Sequence, residues 1–304
     1  MKVIGITGGS GFVGNHLAAL LTGKGYEVII FTRSAAANPA KNNVSYAHWD
    51  ASKNECGLSA LQKIDAIVNL AGAGIADKRW TEKRKKEILQ SRVNGTEFLI
   101  AQIKVHAPNC KTFIGASATG FYGPDREGAI PFTEIAPAGN DFLGDVCRQW
   151  EAASQVANDF ARTVILRFGV VLGKDGGAFP KLAAPLSFGI MPILGSGRQV
   201  MSWIAIDDLA RLILFALETQ KLSGIYNAVA PVPVTQKELM STIATIKGGV
   251  KIPLPAPAFL LEIMLGEMSE ELLKSCTASA AKTLATGFVF DCPDITKAVS
   301  SLLH

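Results

Sequence analysis

Short β-branched and aliphatic runs recur through the first two thirds of the chain, at Val3–Thr7, Val28–Thr32, Val44–Trp49, Ala66–Leu70, Thr112–Ala116 and Thr163–Phe168. Between them, Phe12–Lys24, Glu82–Val105 and Asp145–Phe160 carry the amphipathic period and length of helices that cross over from one strand to the next. Alternation of this kind predicts an α/β protein with a doubly wound parallel sheet covered by helices on both faces. After about Gly173 the pattern loosens. Glycine-rich and proline-rich stretches at Gly173–Gly177, Gly189–Gly197, Pro231–Pro233 and Pro253–Pro257 separate shorter helices. The expected division is a sheet domain over 1–172, completed by 199–230, and a smaller C-terminal α/β lobe on the substrate side over 173–304.

Composition narrows the function classes. With 48% hydrophobic and 18% charged residues, the chain of 304 residues has an ordinary globular balance. A net charge of +4 without interleaved aromatic and basic residues does not point to nucleic acid. Five widely spaced cysteines without a C-x-x-C pair suggest neither disulfides nor zinc, and a reduced, cytoplasmic setting is expected. No histidine joins a ligand cluster by spacing, so no metal is predicted. The apolar start is broken by glycines and reads as strand, turn and helix rather than a leader. Phe259–Leu265 is too short to span a bilayer and contains Glu262, so no membrane span is predicted. The basic run Lys78, Arg79, Lys83, Arg84, Lys85 and Lys86 reads as a solvated helix face, with a lid over an anionic ligand as the alternative.

The candidate chemistry begins at Thr7-Gly8-Gly9-Ser10-Gly11-Phe12-Val13-Gly14, which leaves the first strand and opens the first helix. Gly8 permits the tight turn, Gly11 lets a pyrophosphate approach the backbone, and Gly14 lets helix and strand pack closely. The helix start then offers free N–H groups and a favourable dipole to an anion. This is the dinucleotide-binding turn of a Rossmann-type sheet. The second strand closes on Phe31-Thr32-Arg33-Ser34, with Arg33 where an NAD-binding protein would carry a carboxylate for the ribose 2′-hydroxyl. NADP(H) is therefore the expected cofactor. Asp50, after the third strand, is a candidate for adenine contact or a local cap.

With these residues in view, the chain resembles the extended short-chain dehydrogenases/reductases, the group of the NAD-dependent epimerases/dehydratases. The resemblance runs on through Asn69-Leu70-Ala71-Gly72, Ser117-Ala118-Thr119-Gly120-Phe121-Tyr122-Gly123, Gly195-Ser196-Gly197 and Trp203-Ile204-Ala205-Ile206-Asp207-Asp208-Leu209. Lys78-Arg79-Trp80-Thr81, Ser91-Arg92-Val93-Asn94-Gly95-Thr96 and Cys147-Arg148-Gln149-Trp150-Glu151 resemble an atypical epimerase-like subfamily. That subfamily ends in a small domain of unknown function, which 250–304 resembles. The resemblance implies cofactor contacts at Gly8, Ser10, Gly11, Phe12 and Val13, at Thr32, Arg33, Ser34 and Asp50, and at Leu70, Ala71, Gly72, Arg92 and Phe168. It also implies a small-molecule substrate and leaves a homodimer open, since many relatives pair through two helices of the sheet layer.

Two departures bear on activity. Relatives use a Tyr-x-x-x-Lys helix, whose spacing puts phenol and ammonium on one face. Here Leu143 stands at the tyrosine position and Cys147 at the lysine position. Relatives acting on nucleotide sugars also carry an Arg that grips the diphosphate, where this chain has Met201-Ser202-Trp203, with Arg198 as a nearby substitute. Candidate catalytic groups are Ser117 and Thr119 at the carbonyl-orienting position, or local backbone partners there, and Tyr122, as a replacement acid or a packed loop tyrosine. Cys147 reads as a buried inert thiol, and Trp80 and Trp150 as core or cavity wall. Two readings stand: an NADP(H)-dependent oxidoreductase or epimerase-like enzyme transferring hydride to or from a small hydroxyl or carbonyl compound, and a non-catalytic NADP(H) sensor.

Overall fold

The computed structural model describes residues 2–35, 42–126, 128 and 130–303. In chain order the first elements are β1 (Val3–Thr7), α1 (Phe12–Gly23), β2 (Glu27–Thr32), β3 (Val44–Asp50), β4 (Glu55–Cys56), α2 (Leu58–Leu61), β5 (Ala66–Asn69), α3 (Glu82–His106), β6 (Thr112–Ala118), α4 (Phe142–Gln155) and β7 (Arg162–Phe168). These seven strands and Gly224–Ala228 form one sheet in the order Gly224–Ala228, β7, β6, β5, β1, β2, β3, β4. All pairs are parallel except β3 with β4. From β1 the chain winds outward to β4, then returns to β5 on the other side and winds to the opposite edge. The reversal between β1 and β5 is the switch point at which such sheets open a crevice beyond their C-terminal ends.

Strand alternation feeds two cores. Ile4, Ile6, Val28, Ile30, Val68 and Ile114 pack with Leu17 and Leu21 of α1 and with Leu209 and Ile213 of the helix Ile206–Glu218. Ile29, Phe31, Ile67 and Phe113 face the other way, onto Leu61 of α2 and Leu99 and Ile103 of α3. Burial on both faces is why these strands are nearly continuous in apolar residues, each such side chain contributing about 1.5–3 kcal/mol.

The expected helix over 145–160 is displaced. It starts at Phe142 because the Asp141 carboxylate accepts the Gly144 N–H at 2.7 Å, and it gives way after Gln155 to a 3₁₀ turn over Val156–Asp159. Beyond β7 a third core joins Leu172, Phe179, Leu186 and Trp203 to Leu239, Ile243, Val299 and Leu302. Small ribbons frame it, among them Ile190–Leu194 paired with Ile252–Ala256 and Val200–Met201 paired with Val234–Thr235.

One buried carboxylate ties this part to the sheet layer. Asp208, fully buried in the helix Ile206–Glu218, accepts the Asp291 and Cys292 backbone N–H groups at 2.8 Å each and pairs with Arg211 at 2.8 Å. Asp208→Ala orphans two backbone donors and is expected to cost about 3 kcal/mol in urea unfolding. A loss below about 1 kcal/mol would show that the C-terminal segment is held by its apolar contacts alone.

Candidate functional site

The crevice starts with the glycine turn. Gly8 has φ +67°, and a Cβ there would lie 2.8 Å from the Leu70 carbonyl carbon and oxygen. A Cβ on Gly14 would lie 2.5 Å from the Gly8 oxygen and the Gly9 Cα. Backbone therefore packs on backbone, between β1, α1 and the end of β5, at a distance no other residue type allows. Gly11 is the N-cap of α1 and brings no side-chain cap, so the N–H groups of the first turn have no partner within the helix.

Around this turn lies a cleft of about 560 Å³. Gly8, Ser10 and Gly11 form its floor at β1, Thr32, Arg33, Asp50 and Ser52 one end, and Leu70, Ala71 and Gly72 the wall at β5. Arg33 is exposed at the rim. The Asp50 carboxylate is buried and its Oδ1 accepts the Ser52 hydroxyl at 2.6 Å and backbone N–H at 3.0 Å. These bonds hold its pKa below the usual carboxylate value, with the Lys53 and Arg33 charges adding to the effect against burial.

Other expected contacts lie outside the cleft lining, each for a visible reason. The Phe12 ring is seated against Gly173 and Gly176, where a Cβ would come within 2.3 and 2.4 Å of it. Val13 and Phe168 pack against the first core, and Ser34 lies past the end of β2. Arg92 lies behind the β5 wall: its Nη1 donates to the Ala73 and Ile88 carbonyls at 3.0 and 3.1 Å, and its guanidinium lies over the Trp150 ring.

The basic run is not uniformly solvated. Arg84 is buried, lines the cleft, donates to the Gly74 carbonyl and pairs with Glu87 at 2.7 Å. With Arg92 on Ala73 and the Trp80 indole N–H on the Ile75 carbonyl at 2.8 Å, three side chains fix three successive carbonyls of the loop after β5. The Ala73 N–H donates in turn to Ser91. The two subfamily-like motifs at 78–81 and 91–96 thus share one task, holding this loop over the cleft. Sequence spacing could not reveal it, because the acceptors are backbone carbonyls.

At the C-terminal ends of β6 and β7 the candidate catalytic residues are brought together, but buried. The Ser117 hydroxyl donates to Glu151 Oε1 at 2.6 Å. Glu151 takes a bidentate ion pair from Arg167, Nε to Oε1 at 2.7 Å and Nη2 to Oε2 at 2.8 Å. Arg167 Nη1 reaches the Tyr122 hydroxyl at 2.9 Å, and that hydroxyl donates to Asn227 Oδ1 at 2.6 Å. Ser117 is 2% exposed and Tyr122 4%. Burial pushes the phenol up to about 12 despite the pull of Arg167, so Tyr122 is a poor acid at neutral pH. Thr119 is buried, and its carbonyl accepts the Cys276 thiol at 3.3 Å. Leu143 packs with Trp80, Ile88 and Val146, and burial pushes the Cys147 thiol up to about 12, so neither residue offers a proton.

Met201, where nucleotide-sugar relatives are expected to carry an arginine, is covered. Residues 275–276 lie along it: the Cys276 N–H donates to the Val200 carbonyl and the Val200 N–H to the Ser275 hydroxyl, both at 3.0 Å. Arg198 is exposed. Among the described residues no group of three or more His, Cys, Asp or Glu is placed to hold a metal ion, and no helix is long and apolar enough to cross a membrane.

A parallel sheet with a glycine cradle at its switch point defines a Rossmann-type α/β protein. By sequence, residues 4–228 match the NAD dependent epimerase/dehydratase family and residues 256–302 match a domain of unknown function, DUF1731, so the chain belongs to that epimerase/dehydratase family. It is 40% identical over 302 residues to the epimerase family protein YfhF of Bacillus subtilis, covering 99% of this chain and 97% of the relative. The crystal structure of human epimerase family protein SDR39U1 with NADPH superposes with a TM-score of 0.88 at 31% identity, over 99% of both chains. A nucleoside-diphosphate sugar epimerase from Corynebacterium glutamicum superposes at 0.77 with 33% identity, over 99% of this chain and 58% of that one.

The buried ion pair makes a sharp expectation. Arg167→Met leaves the Glu151 carboxylate buried without its partner and should cost about 3–5 kcal/mol, whereas Glu151→Leu with Arg167→Met should recover most of the loss. Equal costs for the single and double variants in urea unfolding would contradict this account.

Proposed function

We propose that this protein binds NADP(H) in the cleft at the β1–β5 switch point and uses it for hydride transfer to or from a small hydroxyl or carbonyl compound. The observation that carries the reading is the joint opening of the uncapped α1 start and Arg33 onto one cleft. In this reading the N–H groups of Phe12 and Val13, with Ser10 and Gly11, hold the pyrophosphate. Arg33, with Thr32 and Ser34 beside it, pairs with the 2′-phosphate, and Asp50 receives the adenine amino group. Leu70, Ala71 and Gly72 form the wall over which the dinucleotide runs, Arg92 and Arg84 brace that wall, and Phe168, Ser117 and Thr119 border the nicotinamide end. The NADPH named for the human relative's structure supports the choice of dinucleotide. Bound nicotinamide supplies or takes the hydride. The five free cysteines suit a reducing, cytoplasmic setting.

A second reading, an NADP(H)-binding sensor without turnover, draws support from the far end of the site. The Ser117 hydroxyl is committed to a hydrogen bond to Glu151, Leu143 has no proton to give, and the Tyr122 hydroxyl is held on Asn227. In an enzyme on this frame the proton would come from a group other than these three.

Calorimetric titration with NADPH and NADH, followed by reduced-nicotinamide absorbance across a carbonyl panel, separates the readings. Tight NADPH binding with turnover supports hydride transfer, the same binding without turnover supports the sensor, and no binding contradicts both. Arg33→Ala should weaken NADPH about tenfold or more and leave NADH little changed, since only NADPH carries the 2′-phosphate. Gly11→Val should abolish binding of both with the parent's circular dichroism and at most a modest drop in melting temperature, because only the Gly8 oxygen, at 3.2 Å, crowds a Cβ there.

A further inference from the structure

Residues 70–81, between β5 and α3, form neither strand nor helix, and Gly74 and Asp77 of this loop line the cleft together with Arg84 and Glu87 of α3. A loop of this kind keeps one arrangement only while other parts of the chain hold it. The side chains that fix its carbonyls, Trp80, Arg84 and Arg92, come from the loop itself and from α3. Its order therefore rests on the start of α3 being fixed.

That start is fixed from the far end of the chain, within the domain of unknown function over 256–302. The Lys85 ammonium, in the first turn of α3, lies 2.7 Å from Glu267 Oε2, 3.2 Å from Glu82 Oε1 and 5.5 Å from the centre of the Phe142 ring. Just before Glu267, Gly266 has φ +61°, and a Cβ there would lie 2.8 Å from Arg79 Nε, so that guanidinium rests against bare backbone. Just after it, Met268 packs on the cluster of Trp80, Ile88, Leu143 and Val146, and Trp80 is the indole that holds the Ile75 carbonyl. Residues 266–268 thus meet side chains of 79–85 one after another. The helix Met268–Leu273 is secured at its other end as well. Lys274, 12% exposed, pairs with Asp141 Oδ2 at 2.8 Å and with Glu271, while the other Asp141 oxygen caps α4 through the Gly144 N–H. One short helix therefore bridges the N-terminal ends of α3 and α4.

We infer that the C-terminal domain of unknown function braces the cofactor cleft, with Glu267 and Met268 as positioning residues: through Lys85 and Trp80 they keep the loop after β5 in the arrangement that walls the dinucleotide site. The role rests on the reading of that cleft as an NADP(H) site. An ion pair with a half-exposed Glu267 contributes little to global stability by itself. Here it acts together with Met268 and Gly266 on a loop without a hydrogen-bond ladder of its own, so it governs how much of the protein holds the loop in place. Apparent affinity falls in proportion to that population. Glu267, 182 residues from Lys85 along the chain, thereby sets how tightly a ligand in the cleft is held.

The test compares the full chain with Glu267→Lys, which sets a further positive charge against Lys85 and Arg79, with Met268→Ala, and with the swap Lys85→Glu/Glu267→Lys. Amide hydrogen exchange is followed in the ligand-free proteins and NADPH affinity by calorimetry. In both single variants, exchange at 70–81 should quicken about fivefold or more and the NADPH dissociation constant should rise by a similar factor, while exchange in β1, β2 and β6 stays at the parental rate. The swap should restore both quantities. Unchanged strand exchange separates positioning from a general loss of stability. Lys297→Glu, exposed on the helix Ile295–Leu303, should behave like the parent. Exchange at 70–81 that keeps the parental rate in both single variants, or that rises equally throughout the sheet, would overturn the proposal, as would faster exchange there with unaltered NADPH affinity. A parent protein that binds no NADPH while its variants still loosen at 70–81 would leave the brace standing and remove the cofactor reading instead.

Discussion

Everything near the cleft depends on backbone meeting backbone at the end of β1. Gly8 touches the Leu70 carbonyl and Gly14 touches Gly8 itself, so α1 starts directly above the β1–β5 gap instead of one side-chain width away. That closeness aims the unpartnered first-turn N–H groups into the crevice. It also brings the loop after β5 close enough to form the opposite wall. Any side chain at either position would open the gap and dissolve the cradle, which is a steric constraint rather than an energetic preference.

The rest of the site is set by buried charge. Glu151 of α4 and Arg167 of β7 form a fully hydrogen-bonded pair, and the pair draws in Ser117 of β6 and Tyr122 of the following turn. Satisfied buried networks of this kind fix a single arrangement but leave little freedom for chemistry. The polar groups here face each other. The family's fold is thus retained while these four side chains form a closed buried network, and residues 275–276 run beside Met201.

Much of this was legible in sequence because it is local. The six early strand runs, the glycine turn and the crossover helices follow from short-range patterns, and the structure moves their ends by only a few residues. What escaped was long-range. Arg84 looked like one member of a solvated basic run, and only the fold reveals that its acceptor is the Gly74 carbonyl ten residues back. Glu151 stands in a motif whose partner the motif does not contain, because Arg167 comes sixteen residues later, on β7. Tyr122 was an open candidate, since burial and an Asn227 acceptor from a distant strand leave no trace in its neighbours. Helix α4 begins three residues before its amphipathic period does because Asp141 caps it.

The central claim, that the cleft is an adenosine 2′-phosphate and pyrophosphate site, is tested most directly by calorimetry with the fragments 2′,5′-ADP and 5′-ADP, which need no catalytic end. The account predicts that 2′,5′-ADP binds and that 5′-ADP binds at least tenfold more weakly, the difference arising at Arg33. Equal affinity for the two fragments, or none for either, would contradict it.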